Sequence, residues 1–181
     1  YDIYKTSKTI SYYMQCKSGI MTGNNDYISN WYEVPVMNIK FDCESSDDMG
    51  DYRWFPLNSG GDYRLYYGNN LKVVNLWHDG IDKRKNVKNY RLRKKSLYFK
   101  KGITWGRITS SRIAFREVAR GSLFGDAGPV GFIEKDRRYV LGFLCSKVAS
   151  YILFAMNPTL NYQVRDIENL PMKFDSINKH E

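Results

Sequence analysis

Three cysteines, two histidines and five prolines in 181 residues exclude several chemistries at once. Cys16, Cys43 and Cys145 are odd in number and widely spaced, with no CxxC pair, so free thiols in a reducing cytoplasm are the plain reading. Histidine occurs only at 78 and 180, and the ligand clusters of a zinc site are missing. There is no GxGxxG or Walker-type phosphate loop and no GxSxG elbow. His78 lies beside Asp79, but no serine or cysteine is tied to it at the spacing of a triad. The carboxylates of 42–51 could bind a metal ion but read better as a disordered acidic loop, and Gly125-Asp126 and Glu134-Lys135 are too loosely spaced for a nuclease metal centre. Low-complexity runs and solenoid repeats are absent, and a 43% hydrophobic, 15% aromatic composition argues against disorder. Residue 1 is Tyr, with no charged-then-apolar leader after it, so the sequence is expected to be a piece of a longer polypeptide.

What the middle third lacks is acid. Residues 1–60 carry net charge −3, residues 61–120 carry +12 and residues 121–181 carry zero, so the whole excess of +9 is central. A concentrated surplus makes a local positive field suited to a polyanion. Nucleic acid leads the candidates, ahead of an anionic membrane surface or an acidic protein. Within the block, "NYRLRKKSLYFKKG" (89–102) has six cations and no acid, with Tyr90, Leu92, Leu97, Tyr98 and Phe99 threaded between them.

Local patterns give short elements. "SGIMTGNNDYISN" (18–30) reads as a loop, and "DCESSDDMGD" (42–51) as an acidic, mobile connector. In "RWFPLNSGGDYRLYYGNN" (53–70) a Gly-Gly turn precedes Asp62, placed to cap a short helix holding Arg64 to Tyr67. "LKVVNLW" (71–77), "SLYF", "ITWGRI", "SRIAFREV" and Val130 to Ile133 are strand candidates, and "HDGIDKRKNVKN" is a charged turn or loop. Residues 137–156 are the strongest helical segment. Leu141, Leu144, Val148, Ile152 and Met156 line one face, widened by Val140, Ala149 and Leu153, and Pro158 ends it. Length would allow a membrane span, but Lys147 near its middle and the lack of an evident positive-inside asymmetry favour a helix buried on most faces.

Four segments occur in a telling order: "SGIMTGNND", "WFPLNSGGDYRLYYGNN…VVNLW", "YFKKGITWGRI" and "YVLGFLCSKVASYILFAMNPTLNYQVRDIENLPM". Together, over about residues 18–173, they resemble the C-terminal target-recognition region of BREX phage-defence adenine-specific DNA methyltransferases (the PglX type). Related regions occur in bifunctional restriction–modification enzymes. The block from Tyr139 to Pro171 is also similar to the helix and "x-Q-x-x-I-x-x-L-P" ending of Type I specificity-subunit recognition domains. Such methyltransferases carry a glycine-rich S-adenosylmethionine motif and an Asn/Asp-Pro-Pro-aromatic motif for the extruded adenine. Neither is here, and "NPTL" at 157–160 lacks the second proline and the aromatic.

The resemblance implies one α+β recognition domain over 1–181, with a twisted, mostly antiparallel sheet packed on the long buried helix at about 137–156. Its partners would be duplex DNA, the catalytic methyltransferase domain of the same parent chain and other phage-defence proteins, with no membrane. Its cofactor would be none in this piece and S-adenosylmethionine in a cytoplasmic parent enzyme. Two rival readings stay open: a generic nucleic-acid-binding module, RNA included, and a protein-interaction module that docks defence partners.

Lys85, Arg91, Arg93, Lys94, Lys95, Lys100 and Lys101 are candidate phosphate ligands, with Leu97 and Phe99 anchoring a strand inward; the alternative is a solvated basic loop. Asn24, Asn25, Asn69, Asn70, Arg107 and Arg112 have base-reading chemistry, since Asn pairs bidentately with adenine and Arg with guanine. Turn geometry explains each Asn pair equally well. Tyr162 and Gln163 follow the long helix and either reach the duplex or cap and orient the chain. Trp54, Trp77 and Trp105 are read as core residues rather than stacking platforms. Because both methyltransferase motifs are missing, calorimetry on this chain should detect no S-adenosylmethionine binding. A micromolar heat signature would overturn the assignment of a recognition domain alone.

Overall fold

Strand signals in this chain are soon interrupted by glycine, asparagine or proline, and many short strands form instead of a few long ones. The computed structural model describes residues 2–77, 87–110 and 112–173. One four-stranded sheet runs in the order β2 (Gln15–Lys17), β9 (Val130–Phe132), β6 (Ile103–Trp105), β7 (Phe115–Glu117), all antiparallel. A second runs β3 (Ile28–Asn30), β5 (Lys72–Asn75), β4 (Trp54–Asn58), β8 (Leu123–Phe124). Only its β4–β8 pair is parallel, with Leu57 opposite Leu123. Strands β1 (Lys8–Thr9) and β10 (Pro171–Met172) form an antiparallel ribbon. The class is therefore α+β and rich in antiparallel pairs, but with two main sheets where the sequence suggested one.

The α-helices among the described residues are α1 (Asp2–Thr6), α2 (Arg137–Leu144), α3 (Lys147–Met156) and α4 (Val164–Glu168). The single buried helix expected over 137–156 is thus two helices bent by 64°. The break has a local cause. Ser146 accepts a hydrogen bond from the Ala149 N–H and starts α3 afresh, while the Cys145 thiol donates to the Phe115 carbonyl at 3.3 Å. The bend changes which side faces inward: Ala149 and Leu153 are buried, whereas Val148, Tyr151 and Phe154 are exposed. Among the described residues no single helix is long and apolar enough to cross a membrane.

Other expectations also shift. Residues 64–67 form no helix, because the Tyr66 N–H donates to the Phe115 carbonyl and its own carbonyl accepts from the Glu117 N–H, pairing it beside β7. "SLYF" is a 3-10 turn over Lys95–Leu97 followed by a turn, with Phe99 at φ 60°, so Phe99 anchors inward without a strand. The acidic connector is tied down by buried Cys43, by Lys40–Asp48 at 3.2 Å and by Arg120–Glu44 at 2.6 Å. Trp105 is core as expected; Trp54 is half-buried, and Trp77 is 38% exposed with the Arg53 guanidinium 4.9 Å from its ring. The segment 78–86, with His78 and Lys85, lies outside the described residues.

Two cores result. Trp105, Phe115 and Ile103 pack beneath Val140, Leu144, Leu153 and Ile167 of the helices. Phe55, Leu57, Val74 and Leu123 of the second sheet pack with Tyr98 and Phe99 from the basic segment. The chain crosses between the sheets through 18–27, 76–102, 118–122 and 125–129. These crossings approach backbone to backbone. A Cβ on Gly19 would lie 2.1 Å from the Phe124 carbonyl oxygen, and one on Gly128 would lie 2.6 Å from the Gly60 nitrogen.

A small polar joint closes the seam. Asn58 at the end of β4 donates to the Thr104 hydroxyl of β6, and Arg116 of β7 donates to the Gly60 carbonyl at 3.3 Å. All three side chains are at most 5% exposed. Thr104→Val keeps the shape but strands the Asn58 amide, and should cost about 1–3 kcal/mol. Urea denaturation should show it as a lower midpoint with an unchanged slope.

Candidate nucleic-acid interface

The basic segment is held from beneath. Tyr98 and Phe99 are buried in the second core and Leu97 packs on a third cluster of Val118, Phe124 and Val130. At its start, Met21 and Arg91 pair their backbones at 2.8 and 2.9 Å, and the Arg93 Nε donates to the Gly19 carbonyl at 3.1 Å. Burial, with Arg91 beside it, holds the Arg93 guanidinium below its ordinary pKa. It remains cationic, because a guanidinium does not lose its proton at accessible pH. Lys94, Lys95, Lys100 and Lys101 face outward from this anchored frame.

Three crossings and the end of β4 border an open pocket of about 270 Å³ whose floor is partly apolar (Ile20, Met21, Ile28, Leu57). Thr22, Asn24 and Asn25 come from the first crossing, Ser59 from β4's exit, Asn89 from the basic segment and Asp126 from the glycine loop. Asp126 is its organising charge. Its carboxylate accepts from Arg107 and, at 3.4 Å, from Arg91, while its N–H donates to the Ile20 carbonyl at 3.0 Å. The Arg107 N–H also donates to the Ala127 carbonyl at 3.0 Å, so main chain and side chain both dock on the 125–128 loop. One carboxylate thus holds two guanidinium groups, neither of which lines the pocket itself, and the buried Arg107 Nε has no partner among the described residues.

The base-reading candidates divide into two groups. Asn24 is spent on its own turn: its Oδ1 accepts from the Asp26 N–H at 3.0 Å and its Nδ2 donates to the Asp26 carboxylate at 2.8 Å. Asn69, at φ 60°, donates to the Asp62 carbonyl at 2.8 Å and closes the Gly60-Gly61 loop. Gln163 starts α4 as its N-cap, with its N–H donating to Asp166 at 2.7 Å. Tyr162 is buried, and burial raises its phenol pKa. Its N–H donates to the Arg107 carbonyl at 2.7 Å and its carbonyl accepts from the Trp105 indole at 3.1 Å. Asn25, Asn70 and Arg112 instead point exposed side chains outward with no bond to a described residue.

Asn25 and Asp126 therefore line the same pocket, Arg107 is tied to it only by its ion pair with Asp126, and Arg112 lies on a separate cleft beside α3. Asp126, Asn89 and Ser59 were not among the sequence candidates. A lone acid between two glycines beside the basic block was the available signal for the first; the other two had none. Among the described residues no group of three His, Cys, Asp or Glu could hold a metal ion.

No family model matches the chain. It is similar to an adenine-specific methyltransferase, BrxX, of Escherichia coli O9:H4 (strain HS), 31% identical over 150 residues that cover 81% of this chain and 12% of that protein. It is also similar to the adenine-specific methyltransferase PglX of Lacticaseibacillus casei (strain Zhang), 30% identical over 181 residues covering 95% of this chain and 15% of the relative. The chain is thus homologous, over most of its length, to a minor part of much longer adenine-specific methyltransferases.

Asp126→Ala removes the shared acceptor of Arg91 and Arg107. A hydrogen-bonded charge of this kind contributes about 2 kcal/mol. The variant should melt several degrees lower, and restoring the acceptor with Asp126→Glu should recover part of the loss.

Proposed function

We propose that the chain is the sequence-recognition module of an N6-adenine DNA methyltransferase of the BREX phage-defence type. Its work is to hold duplex DNA and read base edges while the remainder of the parent enzyme carries out methyl transfer. The observation that carries this reading is the anchored basic segment, whose four outward lysines sit on a frame fixed by Tyr98, Phe99, Arg91 and Arg93. A flexible solvated loop would not pack its aromatic residues into a core. The homology to adenine-specific methyltransferases supports DNA as the polyanion.

The division of roles follows from chemistry. Lys94, Lys95, Lys100 and Lys101 supply sequence-independent phosphate contacts. Asn25, Asn70 and Arg107 supply base-reading groups, Arg107 with its direction set by Asp126. A methyltransferase that extrudes its target base must recognise the neighbouring pairs, and a separate reading module meets that need.

S-adenosylmethionine does not fit this chain. Its sulfonium is cationic and its ribose calls for a carboxylate, whereas the cleft of about 500 Å³ beside α3 presents Arg112 and Lys147 and no acid among its described lining residues. The Asp126 carboxylate is already committed to two arginines. The cofactor belongs to the rest of the parent enzyme in this reading.

Lys94→Ala with Lys95→Ala should weaken cognate and scrambled duplexes alike. It should also lower the slope of log affinity against log salt by about one for each phosphate that the variant no longer neutralises. Arg107→Gln should instead penalise the cognate duplex alone, by about 1–3 kcal/mol for a bidentate contact to guanine. Fluorescence anisotropy on the parent methyltransferase reads both. Equal losses on both duplexes for every variant would sink the division, and salt-independent binding would sink the DNA reading.

A further inference from the structure

The outward face of α3 is a feature that duplex reading leaves unused. Lys147, Ser150, Tyr151 and Phe154 follow one another at i, i+3, i+4 and i+7, so they form a single stripe. Tyr151 is 72% exposed and Phe154 64%. The stripe forms one wall of the cleft of about 500 Å³, whose other wall is Arg112, Ile113 and Tyr162. That volume is typical of a small-ligand site.

Two features of the cleft constrain its occupant. Arg112 and Lys147 are the charged groups lining it, no carboxylate lines it, and neither cation has an ion-pair partner among the described residues. Its exposed rings offer a stacking surface, and a guanidinium plane across from them offers a second. A planar π-system carrying an anion satisfies both features. An acidic peptide would satisfy the charge but leave the stacking surfaces without a partner.

We propose that this cleft holds one unstacked nucleotide. Its base lies between the Tyr151 and Phe154 rings and the Arg112 guanidinium, and its phosphate rests on Lys147. The Ser150 hydroxyl is available to the sugar or the base edge. The site goes beyond duplex reading, since a paired base cannot enter a slot of this kind. It is joined to the duplex-facing pocket through Tyr162, which lines the cleft while its N–H bonds the Arg107 carbonyl. The nucleotide comes either from a single strand or from free solution, and both sources present the same chemistry.

The test uses 2-aminopurine, whose fluorescence falls on stacking, as the free deoxynucleoside monophosphate and inside a short single-stranded oligonucleotide. The wild-type chain should quench at least one probe. Quenching of the free monophosphate identifies solution nucleotide as a source, and quenching of the oligonucleotide alone identifies a strand. Tyr151→Ala and Phe154→Ala should each weaken that binding about fivefold to a hundredfold, and Tyr151→Phe should retain it. Lys147→Gln should weaken it and flatten its salt dependence. Melting temperatures should barely move, because both rings are mostly solvated.

A fully paired duplex measured in parallel separates this proposal from the previous one. Its affinity should survive the α3 variants and fall with Lys94→Ala and Lys95→Ala. Wild-type chain that binds neither probe would overturn the cleft and mark the face as a protein-docking surface. Unchanged quenching in the Tyr151→Ala, Phe154→Ala double variant would overturn it as well. Loss of duplex affinity in the wild type would sink the recognition reading and leave the cleft standing.

Discussion

The close approach of two sheets across a glycine-lined seam is the constraint on which the rest of this molecule depends. Each sheet has its own core, a small cluster of Val118, Phe124 and Val130 joins them, and the chain passes between them at four points. Close backbone contact leaves no room for side chains at Gly19 and Gly128. The few polar groups that remain inside must then answer one another, as Asn58 and Thr104 do. Arg116 is the costly member of this joint: burial lowers its pKa, and its described side-chain bond is to a backbone carbonyl. Such a group is tolerated where geometry, rather than net energy, is what the surroundings require.

Charge distribution and local frame serve different ends in the basic segment. In the proposed reading the lysines supply affinity for any phosphate chain, and their solvated position costs the fold little. Arg91 and Arg93 are structural as well as electrostatic, because they tie the segment to 19–21 and to Asp126. A single acid therefore controls orientation in a region whose net charge is otherwise strongly positive.

The charge asymmetry, the class of fold and the strands at 72–75, 103–105, 115–117 and 130–132 were legible because each is a local signal. The inward anchoring of Phe99 was legible for the same reason, although its backbone was not. The helix over 137–156 misled because periodicity continues smoothly across Cys145 and Ser146, while the capping bond that resets it spans only three residues. Tyr66 illustrates the opposite failure. Its pairing partners lie some fifty positions away, and nothing in "DYRLYY" distinguishes an extended bridge from a capped turn. The pocket was hidden for a similar reason: Asp126 acquires its meaning from Arg91 and Arg107, which sequence spacing does not connect.

The crossings have a kinetic consequence. The pocket is assembled from positions near 22, 59, 89 and 126, none of which shares a strand with another. Antiparallel pairs such as β4–β5 and β6–β7 can close early, since their strands are consecutive in sequence. The pocket cannot precede the docking of the two sheets, because Asp126 and Arg91 meet only then. A nascent or partly folded chain would already display its lysines yet lack a formed pocket. Attraction to polyanions would thus mature before discrimination, and any quality control that holds the chain until the seam closes would also prevent indiscriminate occupancy.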